Sequence, residues 1–388
     1  MFYQAGDSRP HNAPLSWWQV PLQSADARRF SFWVCFFDLT LEGLLDFFVF
    51  LLFLIYPLLS SAGNEAFGGQ SIKVLQAPAP ASVHDVPVDP ALAEASSRLE
   101  QGKPTEADAL LRSYLMRHPD SADGHFLLGH ALFRQIQEGA WSGPESNATL
   151  KEEKAKASLA EFTAGASYRT PRASDLKIVA LDYIVLHDFS DADKWLTRML
   201  EWTPNDSEGW YYLGRTKYNE NRFQEAVLAF QQSLKLDSNN VKTEDNLGLA
   251  YAGLGRSDDA VAAYNTAIEW QKNAPIKNPG PFVDLGDLLL DQNRSEEAIP
   301  YLHQAIQISP EDSKTHELLG KAFARLDRFP EAQTELEKAA QLAPEKANLP
   351  CMLGPIYRKQ GLSERAKIEL DRCASLNRTN PAPEKPRP

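Results

Sequence analysis

The sequence predicts an all-α protein, built as a solenoid of about eight antiparallel helix pairs. Small and apolar residues recur with a spacing of 34 residues between residues 88 and 380, and periods of about 20–50 residues are typical of stacked repeats. Within each repeat the apolar residues recur at intervals of three, four and seven, which places them on one face of a helix. One repeat therefore accommodates two amphipathic helices.

The composition is that of a packed protein. Of the 388 residues, 43% are hydrophobic and 24% are charged, and these ordinary values exclude a wholly disordered chain. The formal net charge is −12, whereas nucleic-acid-binding proteins usually display a basic face, so no nucleic-acid partner is predicted. The 3 cysteines cannot form a disulfide framework or a four-cysteine zinc site, and the sequence predicts no metal and no cofactor.

Residues 1–62 are predicted to be an export signal or a membrane anchor. Their apolar core, residues 47–59, carries no charged side chain. As a helix it is about 20 Å long, which is short for a hydrocarbon core of about 30 Å and typical of a secretory signal. The small residues Ser60 and Ala62 follow it, as a signal peptidase site requires, so we expect cleavage after Ala62.

The charges around this segment predict its orientation. Arg28 and Arg29 precede the apolar core, and no Lys or Arg follows it before Lys73, which places the N-terminus in the cytoplasm and the rest of the chain outside. We therefore expect an exported protein, periplasmic or otherwise extracytoplasmic, that contacts the membrane only through residues 30–59. Three alternatives stay open: an uncleaved anchor over residues 39–59, a buried core helix, and a cytoplasmic protein whose N-terminus is mis-assigned.

Proline-rich segments flank the repeats. Residues 63–87 include the run Ala77-Pro78-Ala79-Pro80-Ala81, whose composition is typical of a semi-extended spacer. We predict a linker there and a disordered, proline-rich tail over residues 381–388.

The repeated residues have a structural explanation. A Leu-Gly pair such as Leu213-Gly214 falls midway along the first helix of a unit, and an alanine such as Ala226 falls early in the second. Small residues at both places let the two helices cross closely, while a large residue four positions later, such as Phe230, fills the space between them. Proline near the end of a unit stops the second helix. The predicted units are 88–121, 122–172 with an insertion, 173–206, 207–240, 241–274, 279–312, 313–346 and 347–380.

This pattern resembles that of tetratricopeptide repeat (TPR) proteins over about three-quarters of the chain. That family has a bulky residue, Leu, Gly, Tyr, Ala, Phe, Ala and Pro at fixed offsets, and residues 207–346 match it well. The flanking units match weakly, with Glu94-Ala95 and Val179-Ala180 in place of the Leu-Gly pair. The resemblance implies a right-handed superhelix whose first helices line a concave groove.

Two units carry unusual features. The insertion Gly139–Lys154 in the second unit is Gly/Ser-rich and then charged, and it is either a plain connecting loop or a partner-binding loop with Trp141 as its anchor. In the last unit, Pro350 and Pro355 are expected to distort or shorten the first helix. The same unit contains two cysteines, which either form a disulfide in an exported protein or remain free core thiols; they are Cys351 and Cys373.

No catalytic constellation stands out in the sequence. His125 and His130 are five residues apart, about 140° around a helix, so they do not share a face. The sequence Gly320-Lys321 lacks the upstream glycine that a phosphate loop requires. Carboxylates are plentiful, but most fall on outward helix faces, where a solvated surface explains them. We therefore predict that the protein is not an enzyme, with an unrecognised catalytic site as the alternative.

The TPR resemblance implies which residues face the groove, namely the second, fifth, ninth, twelfth and thirteenth of each unit. Tyr211 and Arg215 combine an aromatic ring with a guanidinium, as interface hot spots do; the alternative is that Tyr211 and Tyr218 pack against neighbouring units. The Lys/Asn/Asn/Lys/Arg clamp of TPR domains that hold chaperone tails is not reproduced in either central frame. The predicted partner-binding residues are Tyr211, Arg215, Tyr218, Asn219, Asp245, Asp287, Asp291, Lys321 and Arg325.

These observations predict a non-catalytic scaffold that binds a peptide or protein segment in the concave groove and is exported. One alternative is an exported TPR module of an envelope polysaccharide or outer-membrane assembly machine. The other is an enzyme whose site the sequence does not reveal.

Overall fold

The computed structural model describes residues 89–138 and 146–379. The predicted export segment, the linker, Trp141 and the C-terminal tail lie outside the described residues. In the described part of the chain, no helix is long and apolar enough to cross a membrane.

The described residues form sixteen α-helices and no strands, which confirms the predicted all-α solenoid of eight helix pairs. Odd-numbered helices are the first helix of a unit and even-numbered helices the second. Units one to four contain α1 (Pro90–Glu100), α2 (Pro104–Leu115), α3 (Ala122–Glu138), α4 (Ser146–Ala166), α5 (Ala173–Val185), α6 (Phe189–Trp202), α7 (Ser207–Asn219) and α8 (Phe223–Leu236). Units five to eight contain α9 (Val241–Gly253), α10 (Ser257–Trp270), α11 (Gly280–Asp291), α12 (Ser295–Ile308), α13 (Ser313–Arg325), α14 (Phe329–Leu342), α15 (Asn348–Lys359) and α16 (Ser363–Thr379).

The turn within a unit repeats the same backbone conformation. In units three to eight, the second residue after the end of the first helix has a positive φ. Gly, Asn and Asp adopt this conformation most easily. This reversal ends the first helix and starts the second two residues later. The residues concerned are His187, Asn221, Gly255, Asn293, Asp327 and Gly361, with φ between 57° and 76°.

The crossing of the two helices depends on the missing side chain of glycine, as the Leu-Gly pattern predicted. A Cβ built on Gly214 would lie 2.6 Å from the ring of Phe230, and one built on Gly248 would lie 2.5 Å from the ring of Tyr264. In the weakly matching third unit, Ala180 takes the place of this glycine and is fully buried. From unit five to unit eight the buried side chains join into one continuous hydrophobic cluster.

In units four and seven, the side-chain ring nitrogen of the fourth residue forms a hydrogen bond with a backbone carbonyl of the preceding unit. Trp210 Nε1 donates to the carbonyl of Pro204 at 2.8 Å, and His316 Nε2 lies 3.1 Å from the carbonyl of Pro310. The proline that follows a second helix leaves its carbonyl next to the following unit, where the ring nitrogen forms a hydrogen bond with it.

The insertion in unit two is helical over much of its length, which corrects the prediction of a loop. Helix α4 begins at Ser146 and runs for 21 residues, so residues 146–154 extend the second helix. Lys154 Nζ donates to Gln135 Oε1 on α3 at 2.5 Å. The next residue of α4, Ala155, is fully buried in a cluster with Phe133 and Ile136 of α3. The Lys, Glu and Ala residues of this stretch are good helix formers, and contact with α3 gives the extension a surface to pack on.

The last unit is closed by a disulfide between α15 and α16, which decides between the two alternatives for its cysteines. Cys351 and Cys373 are bonded, with their Cα atoms 5.0 Å apart. Helix α15 begins at Asn348 and continues through Pro355 to Lys359. Pro350 and Pro355 therefore do not interrupt the helix, contrary to the expected distortion. Its length of 12 residues is one residue less than the 13 of α13.

Candidate functional site

The predicted groove residues lie on the first helices α7, α9, α11 and α13, each of which contacts the next. On α7, Tyr211, Arg215 and Tyr218 are separated by four and three residues, so they share one face. The structure thus places the predicted residues along one row of four helices.

Tyr211 and Arg215 lie at a cleft of about 300 Å³ between units four and five. Arg215 is exposed, and its guanidinium carbon lies 5.9 Å from the centre of the Tyr211 ring. Tyr211 is half buried, with its ring centre 6.2 Å from that of Phe230. Tyr211 therefore packs against the core and also borders the cleft. The cleft is lined by Ser207, Glu208, Tyr211, Tyr212, Arg215, Ser233, Asp237, Asn240 and Lys242.

Tyr218 and Asn219 stand at the other end of α7. Tyr218 is half buried, with its ring centre 5.4 Å from that of Phe223. Burial, and then the nearby Asp284, raise the pKa of the Tyr218 hydroxyl. Asn219 is exposed, and its side-chain nitrogen donates to the backbone carbonyl of Arg215 at 2.8 Å.

Asp245 is buried, which corrects the expectation that its position is exposed. Only 5% of it is accessible, and its Oδ1 has no hydrogen-bond partner among the described residues. The backbone of Gly280 covers it so closely that a Cβ on this glycine would lie 2.5 Å from Asp245 Oδ2. The extra residues 275–278 precede Gly280, and the side chain of Gln271 forms two hydrogen bonds to the backbone of Asn278.

Asp245 belongs to a group of five side chains that we call the Asp245 cluster: Tyr218, Asp245, Asp284, Asp287 and Lys314. Lys314 Nζ lies 3.5 Å from Asp284 Oδ1 and 3.6 Å from Asp287 Oδ2. Burial, and then the charge of Asp284, raise the pKa of Asp245 to about 8, while Lys314 acts in the opposite direction. The cluster therefore holds three carboxyl groups and a single ammonium group.

Burial and neighbouring charges both act on the pKa values of Asp284 and Lys314. It raises the pKa of Asp284, which Lys314 lowers in part and Asp287 raises further. Burial would lower the pKa of Lys314, but Asp284 and Asp287 hold it above its ordinary value. A carboxyl group deprived of water favours its neutral form, so burial and the charge of Lys314 act on the pKa of Asp284 in opposite directions.

The remaining predicted basic residues, Lys321 and Arg325, contact groups of unit six. Lys321 Nζ lies 3.7 Å from Asp291 Oδ1, and the guanidinium of Arg325 donates to the carbonyl of Leu290. The basic residues on the C-terminal side of the groove therefore already bind groups of the preceding unit.

The described residues do not form a metal centre: no group of three or more His, Cys, Asp or Glu side chains among them is placed to hold an ion. His125 Nδ1 lies 2.7 Å from Glu161 Oε2, and His316 Nδ1 lies 2.6 Å from Glu335 Oε2. Both contacts join the first helix of a unit to the second, which gives these histidines a structural use.

The sequence analysis missed several residues that the structure brings to the site. Asp284 occupies the sixth position of its unit, which faces the preceding unit, and an acidic residue at a packing position could have drawn attention to it. Ser233 on the second helix α8 and Asp237 directly after it also line the cleft, and the first-helix pattern carries no signal for them.

Comparisons with known proteins agree with this architecture. Family models described as tetratricopeptide repeat match residues 92–139, 207–240, 245–273 and 289–349. Human (Homo sapiens) PEX5-related protein is 35% identical over 72 residues, covering 19% of this chain and 11% of that protein. The mouse (Mus musculus) protein O-mannosyl-transferase TMTC3 is 25% identical over 135 residues, covering 32% of this chain and 15% of that protein. The matches thus span a small part of either relative.

Among solved structures, the Cut9 and Hcn1 hetero-tetramer of the APC/C contains a chain that superposes with a TM-score of 0.51. The sequences are 15% identical, and the match covers 75% of this chain and 53% of that one. At this identity the likeness shows the fold alone. The repeated Leu-Gly crossing, the sixteen helices in pairs and the four family matches together show that this chain is a tetratricopeptide repeat protein.

Proposed function

We propose that this protein is a non-catalytic scaffold that binds an extended segment of a partner protein in the groove lined by α7, α9, α11 and α13. The observation that carries the proposal is the cleft of about 300 Å³ at Tyr211 and Arg215. Its walls come from both helices of unit four and the start of unit five, so the site is fixed by the packing of two units.

The chemistry of the cleft suits an extended backbone. Arg215 and Lys242 supply donors for carbonyl groups, and Glu208 and Asp237 supply acceptors for amide groups. The Tyr211 ring supplies rigid apolar area that loses little conformational entropy on binding. Hydrogen-bond donors and acceptors around the Tyr211 ring match the amide and carbonyl groups of a peptide. This combination favours a peptide over a purely apolar or purely anionic ligand.

Capture of partners by crosslinking in cells, followed by mass spectrometry, tests the proposal. The Tyr211→Ala/Arg215→Ala variant and the Arg215→Glu variant are expected to lose most of the captured partner. Arg215→Glu should leave the melting temperature nearly unchanged, because exposed substitutions usually alter stability by less than about 0.5 kcal/mol. Equal capture by a fully folded Arg215→Glu variant would refute binding at this cleft.

The chain offers a matched control on the second-helix side. The guanidinium carbon of Arg198 lies 5.1 Å from the centre of the Trp202 ring on α6, and that ring is 43% exposed. The Arg198→Ala/Trp202→Ala variant removes the same two kinds of group from a surface outside the groove. It should therefore retain capture.

We also infer that the protein works outside the cytoplasm. The disulfide between Cys351 and Cys373 supports this location, because such bonds persist in oxidising compartments. The apolar segment 47–59 followed by Ala62 supplies a route of export.

Alkylation of intact cells with a maleimide before lysis tests this location. Cys351 and Cys373 are expected to resist labelling until a reductant is added, and sequencing should find a mature N-terminus after Ala62. Labelling of both thiols without reductant would instead place the protein in the cytoplasm, whereas retention of residues 39–59 in membranes would replace the cleaved signal with an anchor.

A further inference from the structure

Asp245 makes no ion pair among the described residues, whereas the nearby acids of unit six each contact a lysine. Asp284 and Asp287 share Lys314, and Asp291 faces Lys321. Asp245 has neither an ion pair nor, at Oδ1, a hydrogen bond among the described residues. Buried polar atoms are nearly always paired in folded proteins, so an unpaired carboxylate oxygen calls for an explanation.

The register of the repeats shows why the chain supplies no cation at this point. Lys314 is the second residue of unit seven, and from there it reaches the acids of unit six. The second residue of unit six is Gly280, which has no side chain and whose backbone lies against Asp245 Oδ2. A Cβ at position 280 would lie 2.5 Å from Asp245 Oδ2, so the second position of unit six supplies no cation to Asp245 in the way that Lys314 serves Asp284 and Asp287.

The arrangement costs stability in the unbound protein. An isolated carboxylate that is buried must either retain its proton or bear a large desolvation penalty, and the pKa of Asp245 is raised to about 8. Asp245→Asn would remove this cost without changing the shape of the side chain. A group that the fold holds at a cost and does not use in packing is a candidate for binding.

We propose that the Asp245 cluster receives the ammonium or guanidinium group of a Lys or Arg side chain in the bound segment. This assigns a substrate class to the groove and rests on the proposed peptide-binding function. The cleft at Tyr211 and Arg215 then holds the backbone of the segment, and the cluster selects its basic residue.

The geometry favours an organic cation over a metal ion. No three-ligand group is present among the described residues, and Lys314 already occupies one side of the cluster. Its contacts of 3.5 and 3.6 Å are longer than charge-assisted hydrogen bonds of about 2.7–2.9 Å. Because its side chain is 49% exposed, Lys314 can turn toward solvent and leave Asp284 and Asp287 to a second cation.

Cation binding is linked to proton release. Asp245 is mostly neutral at pH 7 when unbound, since its pKa is about 8, and a neighbouring cation favours its charged form. Affinity should therefore rise with pH up to about 8 and level off above it. The ionisable groups around Asp245 are Tyr218 of α7, Tyr264 of α10, Asp284 of α11 and Lys314 of α13; burial raises the pKa of both tyrosines, which therefore stay neutral in this range.

A small cation tests the site without a known partner. The full-length chain, labelled with ¹³C at aspartate carboxyl groups, is titrated with n-butylguanidinium chloride, and its neutral isostere n-butylurea serves as the control at equal ionic strength. The cation is expected to lower the pKa of Asp245 by at least about one unit while the exposed Asp258 does not shift. Equal effects of cation and isostere on Asp245 would overturn the proposal.

Peptide selection separates this proposal from the proposed function. Random twelve-residue peptides displayed on phage are selected on the full-length chain, and each Lys or Arg of a selected peptide is replaced by norleucine or citrulline. One such replacement should weaken binding to the wild type at least about tenfold and have little effect on binding to Asp245→Asn. The matched control variant Asp258→Asn should behave as the wild type.

The outcomes are distinct. Peptides that depend on Tyr211 and Arg215 but have no essential basic residue would support the groove and overturn the cationic subsite. The same losses in Asp245→Asn as in the wild type would also overturn the subsite. A lowered Asp245 pKa with n-butylguanidinium, together with no selectable peptide, would support the subsite and contradict binding of extended segments.

Discussion

At Gly248 the two helices of unit five approach so closely that a single methyl group should be costly. A Cβ at this position would lie 2.5, 2.7 and 3.0 Å from three carbons of the Tyr264 ring. Carbon atoms prefer separations of about 3.5–4.0 Å, so the ring would have to retreat by about 1 Å. Tyr264 is only 1% exposed, and its close-packed surroundings leave no free direction for that movement.

The magnitude follows from two opposing effects. Overpacking of a core typically costs about 1–3 kcal/mol, whereas alanine is favoured over glycine inside a helix by about 1 kcal/mol. We expect Gly248→Ala to lower the free energy of unfolding by about 1–2 kcal/mol. In a Tyr264→Ala background the obstacle is absent, so the same substitution should raise stability by up to about 1 kcal/mol.

A double-mutant cycle measured by urea unfolding checks this reasoning, because it isolates the energy that depends on both residues. Amide hydrogen exchange should locate the loosening in units four to six, since repeat units contact only their neighbours. If Gly248→Ala costs the same with and without the Tyr264 ring, the close approach is not the cause and the explanation of the Leu-Gly pattern fails.

Three further substitutions or treatments have defined outcomes. Reduction of the Cys351–Cys373 disulfide should destabilise the last unit by about 2–4 kcal/mol, seen as faster amide exchange confined to α15 and α16. Burial raises the pKa of the fully buried Asp182 to about 8. The native state of the wild type therefore binds its proton more tightly than the unfolded chain and loses stability as pH rises from about 4 to 8. Asp182→Asn should escape that loss and gain more than about 1 kcal/mol over the wild type, and a pH-independent difference in urea midpoints would contradict this. Asp312 Oδ2 accepts from the backbone nitrogen of Thr315 at 3.0 Å, so Asp312→Ala should cost about 1 kcal/mol in unfolding experiments.

The periodic part of the structure could be predicted from the sequence because its causes are local. The Leu-Gly pair, the alanine twelve residues later and the bulky residue four beyond it specify a crossing of two helices within 34 residues. Gly214 against Phe230 and Gly248 against Tyr264 follow this rule, and the corresponding glycines of units six, seven and eight make the same kind of contact with a leucine. The side-chain spacing on α7 also placed Tyr211 and Arg215 on one face without knowledge of the neighbouring units.

What the sequence could not determine depends on where another unit lies. Asp245 occupies a position that the repeat pattern exposes, yet the backbone of Gly280 in the next unit lies over it. The pairing of Lys314 with Asp284 and Asp287 likewise joins residues about thirty positions apart. Similarly, the spacing of Cys351 and Cys373 allowed either free thiols or the disulfide that forms.

The sequence by itself therefore determined the number of helices, their pairing and the row of residues along the first helices. The tertiary structure decided which of those residues are buried, which are already paired and which lie at the cleft. The physical reason is that helix periodicity acts over a few residues of one chain segment, whereas burial and ion pairing depend on the distance between segments. At Asp245 the backbone of Gly280 in the next unit covers a side chain that the repeat pattern exposes, and burial raises the pKa of that acid to about 8.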